Sequence, residues 1–544
     1  MFNFLFDAAI PLSMGLTKYR DWDPFIAKTQ QPELVQQAVL RGILAKQAAT
    51  TFGARYRFSA LRTYEEFVRE VPVSTYEDLR PSVEAQEQSK EPLLTAGQPI
   101  LFAQTSGTTG KPKYIPVLRE TVEGVRLYQR LFSYAQCLGV PTIYQGNVLV
   151  ITGQTVEGHL PGGTPFGSMS GLLFDCLPAT IRRKSVLSEG LPAISDYRQR
   201  YLYMAAQALA DPSLSVLATP NPSTILKLLE LIRSEFVALL DAISPGSRPG
   251  FLSEHTRYAV SSERLSWLRS LIGQEVRLDF ATLWPDLQAV VTWTGGNCAV
   301  LIPKLRSLLP QNASVIEMGY LSSECLGSLN VDVLNNRCVP TFHENFFEFV
   351  EVGEHEELRR DPVRLPQIQE GRKYSVIVTT PNGLYRYAMN DIVEVTGRFN
   401  LTPTIRFVQK GKGVTNITGE KLYEHQVIEA VEDVLKACGI ASEFYVMLAS
   451  VEDFRYTLCL EHAPLPLDFE PFMEKRLAEL NVEFKAKRDS GRLQPLRVLH
   501  LRPGAGEAYR QHCVSKGQRE AQFKVIKLQY AHECSFDFEG HGRQ

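Results

Sequence analysis

Four hydroxyls, two glycines and two lysines crowd one short stretch, TSGTTGKPK, from Thr105 to Lys113. Gly107 and Gly110 let backbone N–H groups turn toward one point. Thr105, Ser106, Thr108 and Thr109 add donors without bulk, and Lys111 and Lys113 add positive charge. That is the composition of a phosphate grip. It is not a Walker A loop, because Gly110-Lys111 is followed by Pro112 and the position five before Gly110 is Thr105. A polar surface turn has the same composition. The flanks favour the grip: apolar residues 99–102 lead in and Tyr114-Ile115-Pro116-Val117 lead out, so the loop joins two strands.

Three more stretches carry usable chemistry. In GYLSSE (319–324) Tyr320 offers a ring for a purine, Ser322 and Ser323 offer donors, and Glu324 is a hard oxygen ligand of the kind Mg²⁺ prefers. In GLYRYAMND (383–391) Asp391 opens an apolar strand segment, where a carboxylate can accept from both ribose hydroxyls. In QFKVIKL (522–528) Lys524 follows a polar loop. Each has a plainer reading: a strand-end turn with a solvated glutamate, a hairpin whose Arg386 and Asp391 are edge charges, and a strand-edge lysine.

The elements that must position these residues read as strand–loop–helix units. Residues 214–218, 289–292 and 314–318 are short apolar strands. Pro220-Asn221-Pro222 breaks the first, with Ser223 or Thr224 as cap of the next helix. Gly295-Gly296 turns the second into a helix over about 299–309. One amphipathic helix is expected over 225–243. This alternation predicts an α/β fold with a mostly parallel sheet, whose ligands bind beyond the carboxyl ends of the strands. After Asn345, segments 346–352, 374–380, 391–395 and 404–408 read as an antiparallel or barrel-like β-rich subdomain. The polar break QKGKG at 409–413 predicts a domain boundary. Residues 1–410 form a large domain, and 414–544 form a small α+β domain with helices over 422–437 and 472–487 and strands over 444–449, 456–461 and 496–501.

Bulk properties exclude several classes. The chain has 544 residues, with 58 Lys plus Arg against 60 Asp plus Glu, which leaves no electrostatic case for nucleic acid. Its nine cysteines are scattered with no CxxC pair, against a zinc site or a disulfide framework and for a reducing cytoplasm. The apolar N-terminus, MFNFLFDAAIPLSMGL, lacks a basic segment and reads as a docking helix rather than a signal peptide. No segment is apolar enough to span a membrane.

In order and spacing, TSGTTGKPK, GYLSSEC and GLYRYAMNDIVEV resemble the three motifs of the Gretchen Hagen type auxin-responsive acyl-acid amido synthetases, within the luciferase-like adenylate-forming enzymes. The resemblance extends to TLWPDLQAVVTWTGG (282–296), PTIRFVQKGK (403–412) and the QFK tail, and so covers most of the chain. It implies ATP- and Mg²⁺-dependent activation of a carboxylic acid as an acyl-adenylate, then capture by the amine of an amino acid. By that resemblance Ser106, Thr108, Thr109, Gly110 and Lys113 grip phosphates, and Gly295, Tyr320, Ser322 and Ser323 surround the nucleotide. Glu324 holds Mg²⁺, Asp391 binds ribose, and Lys524 reaches the α-phosphate and the carboxylate. A monomer is expected. Departures from the pattern are a shorter first loop, closer to acyl-CoA ligases, Leu321 in place of a small residue, and Asn390 in place of a glycine. An acyl-CoA ligase and a non-catalytic nucleotide binder are the alternatives. The glycine-rich stretch 158–171 is either an acyl-pocket wall or a loop.

Overall fold

The computed structural model describes residues 2–105, 112–187, 191, 194, 196–245, 260–275, 277–352, 361–411, 413–440, 442, 444–461, 468–515 and 525–542. The chain divides into two compact units, one built from residues 1–105 and 113–409, the other from the short segment 106–112 and residues 410–544.

The first unit opens with a helix, Phe2–Thr17, which buries Ile10 and Met14. No helix among the described residues is long and apolar enough to cross a membrane. Strands β1 (Leu101–Thr105) and β2 (Lys113–Val117) pair antiparallel, with Thr105 opposite Lys113. The hydroxyl-rich stretch therefore lies between two strands. Next come β3 (Asn147–Val150), β4 (Gly158–His159), β5 (Pro165–Gly167), β6 (Leu214–Ala218), β7 (Ala289–Thr292) and β8 (Ser314–Glu317). Strands β3-β6-β7-β8 form a wholly parallel sheet, and β2-β1-β5-β4 form a second sheet. All four residues of β7 are buried, as a strand covered on both faces requires.

A hairpin of β9 (Ser328–Asp332) and β10 (Arg337–Pro340) leads into a five-stranded sheet. This sheet contains β11 (Phe346–Glu351), β12 (Val363–Arg364), β13 (Lys373–Thr379), β14 (Tyr387–Phe399) and β15 (Thr402–Lys410), in the order β12-β11-β13-β14-β15. The β-rich subdomain is an open, largely antiparallel sheet.

The second unit has β16 (Val414–Thr415), β17 (Leu422–Tyr423), β18 (Tyr445–Ser450), β19 (Arg455–Glu461), β20 (Arg497–Leu501) and β21 (Leu528–Tyr530). Its four-stranded sheet, β20-β19-β18-β21, packs its own core around Val431, Leu458, Met473 and Phe484. Fully buried Glu420 accepts hydrogen bonds from the N–H of Ile417 (2.6 Å) and Thr418 (2.8 Å) and from the Tyr456 hydroxyl (2.6 Å). It thereby ties the turn between β16 and β17 to the sheet.

Three expected helices are each two pieces. The 225–243 helix is Pro222–Ser234 and Phe236–Ile243, interrupted at Glu235, whose φ of −112° and ψ of 17° are not helical. Its cap is Asn221, whose side chain accepts from the Ser223 N–H at 2.9 Å, and not Ser223 or Thr224. Pro222 fits the first helical turn, which places the cap at the residue before it. The 299–309 helix is a 3₁₀ turn, Gly296–Leu301, and a short helix, Ile302–Arg306, because Pro303 lacks the N–H that would continue the first. The 472–487 helix is Phe469–Leu480 and Val482–Asp489, with Asn481 capping the second piece through the Phe484 N–H at 2.9 Å.

Candidate nucleotide and acyl site

The carboxyl ends of β7 and β8 carry two turns that one carboxylate holds together. Glu317 Oε2 accepts from the Thr294 N–H (2.6 Å), the Thr294 hydroxyl (2.6 Å) and the Gly295 N–H (3.1 Å), while Oε1 accepts from the Gly319 N–H (2.8 Å). Burial pushes the Glu317 carboxyl above its usual pKa, and these donors pull the other way. The turn also lies against β15. A Cβ on Gly295 would stand 3.0 Å from the Phe407 carbonyl oxygen, and one on Gly296 would stand 2.9 Å from the Phe407 ring. Gly296 has φ +55°, so conformation and close approach both require glycine there.

Just beyond the β8 turn, the Tyr320 hydroxyl donates to Asp391 Oδ2 at 2.7 Å. Both residues are buried, at 6% and 1% exposure, so Asp391 is no edge charge. The Tyr320 ring lies nearly parallel to Phe407, 12° between planes and 6.0 Å between centroids. Burial raises the Tyr320 hydroxyl well above its ordinary pKa, and negative charge on Asp391 and then on Glu324 adds to the shift. A bulge in β14 brings Asp391 inward. Ser375 pairs with Ile392 and Ile377 with Ala388, so residues 389–391 stand opposite Val376 alone. Asn390 takes φ +52° in that bulge, the conformation asparagine tolerates best after glycine.

Arg386, in the same segment, is structural. Its guanidinium forms a buried bidentate pair with Glu348 at 2.9–3.2 Å, and its Nη1 donates to the carbonyl of Val71 at 2.8 Å. Arg386→Ala leaves Glu348 buried without its cation. We expect a loss of about 3–5 kcal/mol, read as an earlier transition in denaturant unfolding, and a smaller loss in Arg386→Met/Glu348→Leu.

The other expected site residues divide three ways. Lys113 is buried at the start of β2 and donates to the Tyr387 hydroxyl at 3.3 Å, linking the end of the first loop to the third motif. Ser322 closes its own turn, since its hydroxyl donates to the Cys325 carbonyl (3.1 Å) and accepts from the Cys325 N–H (3.2 Å). Ser323 and buried Glu324 line a cavity of about 620 Å³. Ser106, Thr108, Thr109, Gly110 and Lys524 lie outside the described residues. Sequence reasoning missed Glu317 and Phe407. Their partners lie on neighbouring strands, and the only sequence signal was an acidic residue at a strand end facing a Gly-Gly turn.

A second cavity, of about 70 Å³, lies between the parallel sheet and the helix Arg119–Gly139. Met318, one residue before Gly319, lines it together with Thr219 and Pro220 beyond β6. From the stretch 158–171 only Ser170 is among its described lining residues.

A buried tyrosine–carboxylate pair thus lies beyond the parallel strands. Solved structures share this chain's fold. An acyl acid amido synthetase GH3.15 in complex with 2,4-DB is similar with a TM-score of 0.64 and 23% identity, covering 96% of each chain. A 2-hydroxyisobutyryl-CoA ligase is similar with a TM-score of 0.56 and 13% identity, covering 92% of this chain and 91% of that one. The chain belongs to the GH3 family: its N-terminal domain model matches residues 23–313, its central domain model 338–410 and its C-terminal domain model 425–532. Curated relatives include indole-3-acetic acid-amido synthetases GH3.15 and GH3.3 of Arabidopsis thaliana. They are 25% and 23% identical, each alignment covering 91% of this chain, and 90% and 89% of the relative respectively.

Proposed function

We propose that this protein joins a carboxylic acid to an amine, most simply that of an amino acid, through an acyl-adenylate. The observation that carries the reading is the buried Tyr320–Asp391 pair beyond the parallel strands, with a cavity for an apolar acyl group lined by Met318 two residues before Tyr320. In the first step a carboxylate oxygen attacks the α-phosphorus of ATP, the α–β anhydride bond breaks, and pyrophosphate leaves. In the second the amine attacks the acyl carbonyl, the bond to AMP breaks, and AMP departs as the amine loses a proton. Neutralising the carboxylate and giving it a leaving group is what makes it reactive. The protein's task is alignment and stabilisation of developing charge.

Asp391 accepts ribose hydroxyls, and Tyr320 holds it in position. Glu317 fixes the Thr294–Gly295 and Gly319 turns along which the nucleotide lies. Ser106, Thr108, Thr109 and Gly110 cradle phosphates, and Lys113 anchors the end of that loop to β14. Glu324 suits Mg²⁺. It is a buried hard-oxygen donor on a roomy cavity, and no cluster of three metal-binding side chains occurs among the described residues. Mg²⁺ commonly takes one or two carboxylates and completes its shell with water and substrate phosphates. Bound there, it would neutralise the charge of the departing pyrophosphate. We place the large domain at 1–410 and read 414–544 as a mobile lid that carries Lys524 to the α-phosphate, with Gly411 and Gly413 as the hinge. Nine free cysteines suit a reducing cytoplasm.

The test is ATP–pyrophosphate exchange across a panel of carboxylic acids with Mg²⁺ present. The proposal expects exchange that depends on the acid. Nucleotide binding with no exchange on any acid contradicts it. Asp391→Ala should raise the KM for ATP about 10- to 100-fold, the value of one or two hydrogen bonds to a charged group, with a smaller change in kcat. An unchanged KM would show the ribose to be elsewhere.

A further inference from the structure

The small cavity is a slot between one helix and the parallel sheet. Gln129, Phe132, Ser133 and Gln136, at helical spacing on one face of the helix Arg119–Gly139, form one wall. Leu173 and Phe174 form the opposite wall. Val148 on β3, Val216 on β6 and Val291 on β7 form the floor. One end is at the carboxyl ends of the strands, near Met318. Its far end is at Tyr144, which precedes β3 and whose hydroxyl donates to Gln136 Oε1 and also bonds Ser133.

Two properties follow. Several of the slot's polar groups are already bonded: Tyr144 engages Gln136 and Ser133, and Gln129 Nε2 donates to the Leu173 carbonyl at 2.7 Å. None of its described lining residues is charged. A second carboxylate or an ammonium on the acyl body would be buried without a counter-ion, which is costly. The slot is also short. Its volume of about 70 Å³ is near half the roughly 150 Å³ of a cavity that takes benzene.

We propose that this slot, on the adenylation reading above, is the acyl subsite and that it selects short, uncharged aliphatic carboxylic acids, with an acyl body of roughly three to five carbons. Bicyclic aromatic acids are too wide for it and dicarboxylic acids too polar. The Tyr144–Gln136 pair sets the depth, and Phe132 and Phe174 set the width.

The experiment measures kcat/KM for pyrophosphate exchange with butyrate, valerate, benzoate, indole-3-acetate and succinate. Butyrate or valerate should exceed indole-3-acetate and succinate by about 100-fold, within what a fitted apolar pocket achieves. Phe132→Ala should raise the indole-3-acetate value about 10-fold and lower the butyrate value. Phe174→Ala, at a half-buried position, should do the same should Phe132→Ala fail to melt cooperatively. A best substrate that is bicyclic or dicarboxylic overturns the proposal and leaves the adenylation reading standing. Preference for short acids that neither variant alters overturns the assignment of the slot. No exchange with any acid, while ATP still binds, ends the adenylation reading and this proposal with it.

Discussion

Lys524→Ala is expected to lower acid-dependent pyrophosphate exchange by about 1,000-fold, while amide formation from a pre-made acyl-adenylate stays within a few-fold of wild type. The asymmetry follows from the charges. In the first step an anionic carboxylate must approach a polyphosphate, and negative charge builds on the α-phosphoryl oxygens. A positioned ammonium stabilises that charge as it develops, which is where an electrostatic contact has most effect on rate. In the second step the acyl group is already neutral and its leaving group formed, so the ammonium has less to do. Lys524 stands far along the chain from the loop at 106–110, and on the proposed lid reading its contribution comes with closure of the segment 414–544. Gly411→Pro, which stiffens the link, should therefore slow both half-reactions. Rapid-quench measurement of each half-reaction separates the two effects. If Lys524→Ala slowed both steps equally, a purely structural role for the tail would be the better account.

Glu324→Gln should lower kcat for exchange about 100-fold and raise the Mg²⁺ concentration needed for half-maximal rate, with little change in the KM for ATP. Glutamine keeps the volume and one oxygen of glutamate, so the buried turn made by Ser322 and Cys325 should survive. What it loses is the charge. A thermal melt close to wild type, with the magnesium requirement displaced, is the expected pair of readouts. An unchanged magnesium requirement would show the metal ligand to be elsewhere.

The two variants test residues the sequence exposes to different degrees. The strand–loop–strand frame around 106–112 was legible, because apolar runs on either side of a Gly/Thr/Pro cluster leave few alternatives, and β1 and β2 pair there. Tyr320, Glu324 and Asp391 were legible as candidates from residue type and order. Their burial and the Tyr320–Asp391 bond were not, because both depend on the three-residue bulge in β14 opposite Val376. Glu317 escaped for a related reason. Its donors, Thr294 and Gly295, stand 23 and 22 residues earlier and become neighbours only when β7 and β8 lie side by side. The pattern over 225–243 was read as one amphipathic helix and that over 472–487 as one helix, yet neither gives a sign of the single non-helical residues Glu235 and Asn481. The slot was least legible, since its walls come from segments whose contact is set by long-range packing.

Product analysis after incubation with ATP, Mg²⁺, butyrate, the mixed amino acids and coenzyme A tests the central claim most directly. The account predicts an N-acyl amino acid by mass spectrometry, formed one-for-one with AMP and pyrophosphate and absent when butyrate or the amino acids are withheld. A butyryl thioester as the dominant product, or AMP release that ignores the amino acids, would contradict it.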